Sequence, residues 1–179
     1  MTTMTPMTPM TPMNDAILVP IDGSRAADAS LAYALGLAVA LKARVVLLHV
    51  IDAEPLFLQT ADDFNEHRRT LRAYGEELLG KAAVAVQDRG LQVSYFLHET
   101  VESHAAAIIV AQAVAQHCGL IVLGTHGRRP LSRLPLGRDA EIVLRDSAVP
   151  VLFVRSPVPE DTRASRHGEA SSDRRPLTA

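Results

Sequence analysis

Between residues 16 and 154 the chain alternates short apolar runs with longer segments whose apolar residues recur at helical spacing. No other feature restricts its fold as much. Ala16–Ile21, Leu120–Leu123 and Pro150–Val154 are short apolar runs, and Arg44–Val50 has an unbroken apolar centre that points to a strand covered on both faces. Double coverage suits a parallel sheet, and parallel neighbours cannot be joined by a tight turn: each connection crosses the sheet, ordinarily as a helix. Helical segments stand where those crossovers are needed. The remaining run, Gln92–His98, puts Val93, Tyr95 and Leu97 on one side and more polar residues on the other, the pattern of an edge strand. The expectation is an α/β fold with an open, five-stranded, mostly parallel sheet and helices on both faces.

The intervening segments carry start and stop signals. Ser24 is placed to cap a first helix, whose expected inner face is Leu31, Ala34, Leu35, Ala38 and Leu41. Beyond an interruption at Pro55, Leu71, Tyr74, Leu78, Leu79 and Ala82 share one face of a second helix ending near Gly90. Ser103 is the expected cap of a third helix, which carries Ala105, Ile108 and Ile109 and runs to about His117. A fourth, starting after Gly137, turns Ala140, Val143 and Leu144 inward. Pro150 is tolerated because it opens the last strand.

An apolar content of 47% over 179 residues suffices for one sizeable core. Aromatic residues contribute only 4%, so aliphatic layers have to build it. The two ends read differently. Met-Thr-Pro triplets fill positions 4–12, while 156–179 is rich in Ser, Pro, Arg, Asp and Glu; disordered tails at 1–13 and 156–179 are expected to flank a folded domain at 14–155. A formal charge of -2 with mixed signs gives no basic surface for nucleic acid or an anionic membrane. No apolar run approaches the ~20 residues a membrane span requires, and the start lacks the character of a secretory signal. Cys118, the single cysteine, excludes an intrachain disulfide and fits a cytoplasmic setting. The histidines have no metal-ligand spacing.

In an open parallel sheet ligands sit beyond the carboxyl ends of the strands, where strand order reverses. The loops after the first, second and fourth strands are therefore the places to look. Residues 124–138 follow a buried strand, precede a helix, contain Gly124, Gly127 and Gly137, and carry Arg128, Arg129, Arg133 and Arg138. Glycines allow backbone amides to approach phosphate oxygens, and a helix start adds free donors. The plainer reading of the same residues is a set of turns with a solvated basic surface. Asp22, at the end of the first strand, can contact a ligand or simply shape its turn, and His126 can touch a phosphate or lie on the surface.

The spacing Gly124-x2-Gly127-x9-Gly137 resembles the nucleotide-binding signature of the universal stress protein family. Ile17-Leu-Val-Pro-Ile-Asp-Gly-Ser24, Leu47-Leu-His-Val50 and Val149-Pro-Val-Leu-Phe-Val154 resemble the same family in order and spacing, so the likeness covers about residues 14 to 155. It implies strand order 3-2-1-4-5, an ATP- or AMP-type ligand between strands one and four, a role in the stress response, and a homodimer joined through the fifth-strand edge. Carried over by position, Pro20, Ile21 and Asp22 lie toward the ribose or adenine, and the backbone of Val50 meets the base. Leu123 and Gly124 line the floor, and Gly127, Gly137 and the amides of Arg138 and Asp139 hold phosphates, which can carry Mg²⁺ beside Asp22. The chain departs from the family at Arg138, where nucleotide-binding members usually have Ser or Thr. A guanidinium can donate to phosphate more strongly, or fill the hollow with its bulk.

Other nucleotide and phosphate chemistries fit less well. The glycine loop does not end in Lys-Ser or Lys-Thr, and the only lysines, Lys42 and Lys81, fall on helical segments elsewhere, so a P-loop NTPase is excluded. The turn Asp22-Gly23-Ser24 lacks the Ser-Gly-Gly character of an ATP pyrophosphatase. A receiver domain would need a phosphoacceptor aspartate at His98-Glu99 and a lysine at Arg155-Ser156. Slow ATP hydrolysis is the most enzymatic reading that survives, without an evident general base. The alternative is a dimeric stress protein that works through protein contacts and binds no ATP.

Overall fold

A computed structural model of the chain describes residues 16–52, 61–100, 104–125 and 136–155. The elements alternate strictly: β1 (Ala16–Pro20), α1 (Arg25–Leu41), β2 (Arg44–Asp52), α2 (Ala61–Gln87), β3 (Val93–Thr100), α3 (Ala105–Ala115), β4 (Leu120–Gly124), α4 (Arg138–Asp146) and β5 (Val151–Val154). All strand pairs are parallel, and the order across the sheet is β3-β2-β1-β4-β5. The expected edge position of the third strand is met.

Two cores follow from the two-residue alternation of the strands. Ile17 and Val19 of β1 face Ala34, Leu35 and Ala38 of α1, with Leu79, Ala82, Ala83 and Val86 of α2 in the same cluster. Ala16 and Leu18 face the other way, into a cluster with Ala106, Ile109 and Ala113 of α3 and Val143 of α4. Leu18 is fully buried, so Leu18→Ala would cost about 2–5 kcal/mol through lost transfer energy and the cavity left behind. Small residues on α1 and α3 let those helices lie close on the sheet, which is why alanine dominates their inner faces.

Several expected contacts differ. Leu41 is exposed because α1 ends there: Lys42 takes a left-handed conformation and its N–H caps the carbonyls of Ala38 and Val39, turning the chain away. Leu144 is exposed because Ala140 and Val143 already fill the contact of the short helix α4, and Ile142 packs beside them. Tyr74 is partly exposed, with the buried face of α2 passing through Gly75 and Leu79. On β3, Val93 and Leu97 pack on the α1/α2 cluster while Tyr95 between them is 58% exposed, as an edge strand permits. α3 stops at Ala115, and His117 has φ 51°, so the chain has already turned. Its N-cap is His104; Ser103 lies outside the described residues, as do Pro55, both expected tails and the loop positions Gly127, His126, Arg128, Arg129 and Arg133.

Cys118 is buried against the α3/α4 cluster, where burial pushes its thiol up to about 11. It is a packing residue with no thiolate to offer at neutral pH.

Candidate functional site

β1 and β4 are neighbours, yet the chain leaves β1 for α1 on one face and β4 for α4 on the other. Such a divergence is where open α/β sheets form their ligand crevice. The residues expected to bind fall on its two walls.

On the β1 wall, the Ile21 amide donates to the Leu48 carbonyl at 2.8 Å, and the Ile21 side chain is buried in the α1/α2 core. The Ile21 carbonyl lies 2.6 Å from His49 Nδ1, so both its backbone polar groups and its side chain are engaged within the protein. Asp22 is half-buried, and its Oδ1 accepts the Ser24 amide at 2.9 Å; the turn-shaping role is realised. Gly23 sits at φ 79°, the left-handed region that favours glycine, with the Tyr74 hydroxyl where a Cβ would project. Ser24 then caps α1, its Oγ accepting the Ala27 amide at 3.1 Å.

On the β4 wall, Gly124 is required by packing. A Cβ there would stand 2.8 Å from Ala26 Cβ and 3.0 Å from its carbonyl carbon, so the first turn of α1 crosses the end of β4 against bare backbone. The ends of the loop that follows are tied together, with the Gly137 amide donating to the Thr125 carbonyl at 2.8 Å. Gly137 is the N-cap of α4 in ordinary extended conformation, φ -74°, and supplies no side-chain bond to the first turn. His104 likewise leaves the start of α3 without a side-chain cap. The Arg138 guanidinium reaches across to α3 and donates to His104 Nε2 at 3.2 Å, in solvent. Asp139 and Glu141 place two carboxylates in the same first turn of α4, with Asp139 exposed.

Between the walls, Val50 and Leu123 are half-buried and pack against the α3/α4 cluster. Pro20 lies on the same face by alternation from Ala16 and Leu18. Three adjacent strands, β2, β1 and β4, thus end in a shelf of half-buried aliphatic groups beside two uncapped helix starts. An apolar shelf with a few convergent donors suits a planar base carrying phosphates. Of the expected site residues, the structure gathers Pro20, Asp22, Val50, Leu123, Gly124, Gly137, Arg138 and Asp139 at one edge of the sheet; Gly127 is outside the described residues. His49, Tyr74 and His104 were missed as parts of this edge. His49 had a visible signal: it is the polar residue inside an otherwise apolar strand.

A sequence model described as the Universal stress protein family matches residues 13–155. The chain belongs to that family. Universal stress protein MJ0531 of Methanocaldococcus jannaschii is 30% identical over 145 residues, covering 80% of this chain and 84% of that protein. Among solved structures, hypothetical protein MJ0577 is 27% identical with a TM-score of 0.70, covering 82% of this universal stress protein and 99% of that chain. Two further structures share the fold at lower identity. One is a universal stress protein in complex with cAMP (19% identical, TM-score 0.59, 79% and 97% covered). The other is a universal stress protein from Archaeoglobus fulgidus in complex with dAMP (20% identical, TM-score 0.54, 80% and 98% covered).

Proposed function

We propose that this universal stress protein binds an adenine nucleotide, ATP or AMP, between β1 and β4 and acts as a regulatory module of the stress response. The observation that carries the reading is the uncapped start of α4 standing beside the Pro20, Val50 and Leu123 shelf at the point where strand order reverses. In this reading the base lies on the shelf and meets the Val50 backbone, with Asp22 toward the ribose. Gly127, Gly137 and the amides of Arg138 and Asp139 take the phosphates, and Gly124 lets α1 close behind them.

The complexes with cAMP and dAMP support the reading at the level of the fold, which can house an adenine nucleotide. Among the described residues no group of three or more His, Cys, Asp or Glu side chains could hold a metal ion, so Mg²⁺ enters the proposal only as the nucleotide's counterion. A single domain at 14–155 is part of the proposal, supported by the span of the family match. So is a homodimer through β5, the sheet edge whose residues Val151–Val154 are all half-buried. No helix among the described residues is long and apolar enough to cross a membrane, and the buried Cys118 thiol supports work in the cytoplasm.

The test is to heat-denature the purified full chain, chromatograph the supernatant for released nucleotide, and melt the intact protein with and without ATP or AMP. Saturating ligand at about a hundred times Kd should raise the melting temperature by about 5 °C or more. Absence of both released nucleotide and any rise would overturn the proposal.

A further inference from the structure

We propose that His49 is a positioning residue of the nucleotide site: its Nδ1–H, donated to the Ile21 carbonyl, fixes the turn that carries Asp22 and releases the Val50 amide for the ligand. The functional half of this rests on the reading above; the geometric half stands without it.

His49 is 2% exposed in the middle of β2, where an imidazole without partners would be costly. Its Nδ1 lies 2.6 Å from the Ile21 carbonyl oxygen. A carbonyl only accepts, so Nδ1 carries the proton. The Ile21 amide donates to the neighbouring Leu48 carbonyl, and consecutive residues of β2 thereby hold both polar groups of the residue preceding Asp22. Asp22 leaves that anchored point directly into its bond with the Ser24 amide.

The same bond changes what β2 offers beyond the sheet. The β1–β2 register ends at the Pro20–Leu48 pair. A continuing parallel ladder would give the Ile21 carbonyl the Val50 amide, because Leu48 already turns its carbonyl toward β1 and Val50 has the same orientation two residues on. The imidazole takes that acceptor, and among the described residues no bond from the Val50 amide to Ile21 continues the ladder, which in this proposal leaves that amide to the ligand. Helix α2 supports the ring from behind. Tyr74 meets it edge-on with centroids 6.3 Å apart and its hydroxyl overlies Gly23, while a Cβ at Gly75 would stand 2.6 Å from His49 Cδ2. Bulk at Gly75 would push the ring off its carbonyl.

His49→Asn and His49→Gln separate a donor from mere volume, since the Asn amide nitrogen replaces Nδ1 and the Gln amide nitrogen replaces Nε2. In the full chain without added nucleotide, hydrogen exchange of the Ser24 amide should be about tenfold faster in H49Q and within about twofold of wild type in H49N, the scale of one lost buried hydrogen bond. The Kd for ATP should follow the same order, about tenfold weaker in H49Q and recovered in H49N. In the unmutated protein, ¹H–¹⁵N correlation of the ring should show Nδ1 protonated, a readout that needs no variant to fold. An Nε2-protonated neutral ring, unchanged Ser24 exchange in H49Q, or equal damage in both variants would overturn the positioning role. A wild-type chain that binds no ATP overturns the nucleotide reading instead, and the Ser24 exchange and ring tautomer then decide whether His49 holds the turn.

Discussion

Two helices begin at the same edge of the sheet, α1 after β1 and α4 after β4, and their starts are built in opposite ways. At α1, Asp22 accepts the Ser24 amide, Ser24 Oγ accepts the Ala27 amide, and the Ser24 carbonyl takes the Asp28 amide at 3.0 Å. At α4, Gly137 ties its own amide to Thr125 and gives its carbonyl to Glu141 at 3.0 Å, but has no side chain with which to cap the first turn. The α1 start is closed by its own sequence. Among the described residues no side chain caps the α4 start, and uncapped amides with a positive dipole end are the kind of group that selects an anion such as phosphate, as proposed above. Glycines divide in the same way: Gly124 serves the packing of α1, whereas Gly137, in a conformation any residue adopts, matters for what it leaves open.

The largest effect should come from filling the contact beneath the closed start. Gly124→Val drives a branched side chain into Ala26 and should destabilise the protein by about 3 kcal/mol in urea unfolding. Ser24→Ala opens α1 by removing its cap, at a cost of about 1 kcal/mol by the same measurement. Gly137→Ser does the converse. Its hydroxyl can bond the first turn of α4, so stability should rise by roughly 0.5–1 kcal/mol while ATP affinity falls, since one amide is then taken. Stability and affinity moving together in G137S would break the comparison.

Arg138→Ser tests the wall of the open start. The guanidinium is engaged with His104 in solvent, so its loss should change stability by less than about 0.5 kcal/mol. Calorimetry should show ATP affinity retained or improved; a much weaker affinity would make the guanidinium a phosphate ligand in its own right. A further small effect lies away from both helix starts. Arg68 and Arg72 of α2 hold Glu99 of β3, and the bond from Arg68, more than that from Arg72, draws its carboxyl below the ordinary value of 4.5, against a smaller opposing effect of burial. A lowered folded value means the clamp contributes above the unfolded pKa and is lost as pH falls through the folded one. Glu99→Gln should thus cost under about 1 kcal/mol at pH 7 and nothing at low pH, in paired melts across that range.

The strand and helix pattern was legible because burial on both faces leaves unbroken apolar runs, as at Leu18 and Val46, and the sheet order came from resemblance to the family. Helix ends were less legible. Leu41 and Leu144 continue the apolar spacing, yet the helices turn away or run out of sheet to cover, and spacing does not record where a neighbour ends. The candidate site was read from its glycines, which point to the carboxyl end of β4; that Gly124 also packs beneath α1 could not be read, since the contact depends on Ala26, far away in sequence. His49 stood in plain view in Leu47-Leu-His-Val50. What could not be read was its acceptor, a carbonyl 28 positions away in the chain.

The most direct test is a ¹H–¹⁵N titration of the labelled full chain with ATP, following the amides of Gly137, Arg138 and Asp139 against those of Arg25, Ala26 and Ala27. The Arg138 and Asp139 amides should shift saturably, and Gly137, whose amide is tied to the Thr125 carbonyl, should follow them, while the Ala27 amide, held by Ser24 Oγ, and its neighbours in α1 stay nearly still. If the α4 set is motionless at millimolar ATP, or if only the α1 set moves, an open phosphate-binding helix start is the wrong description of this protein.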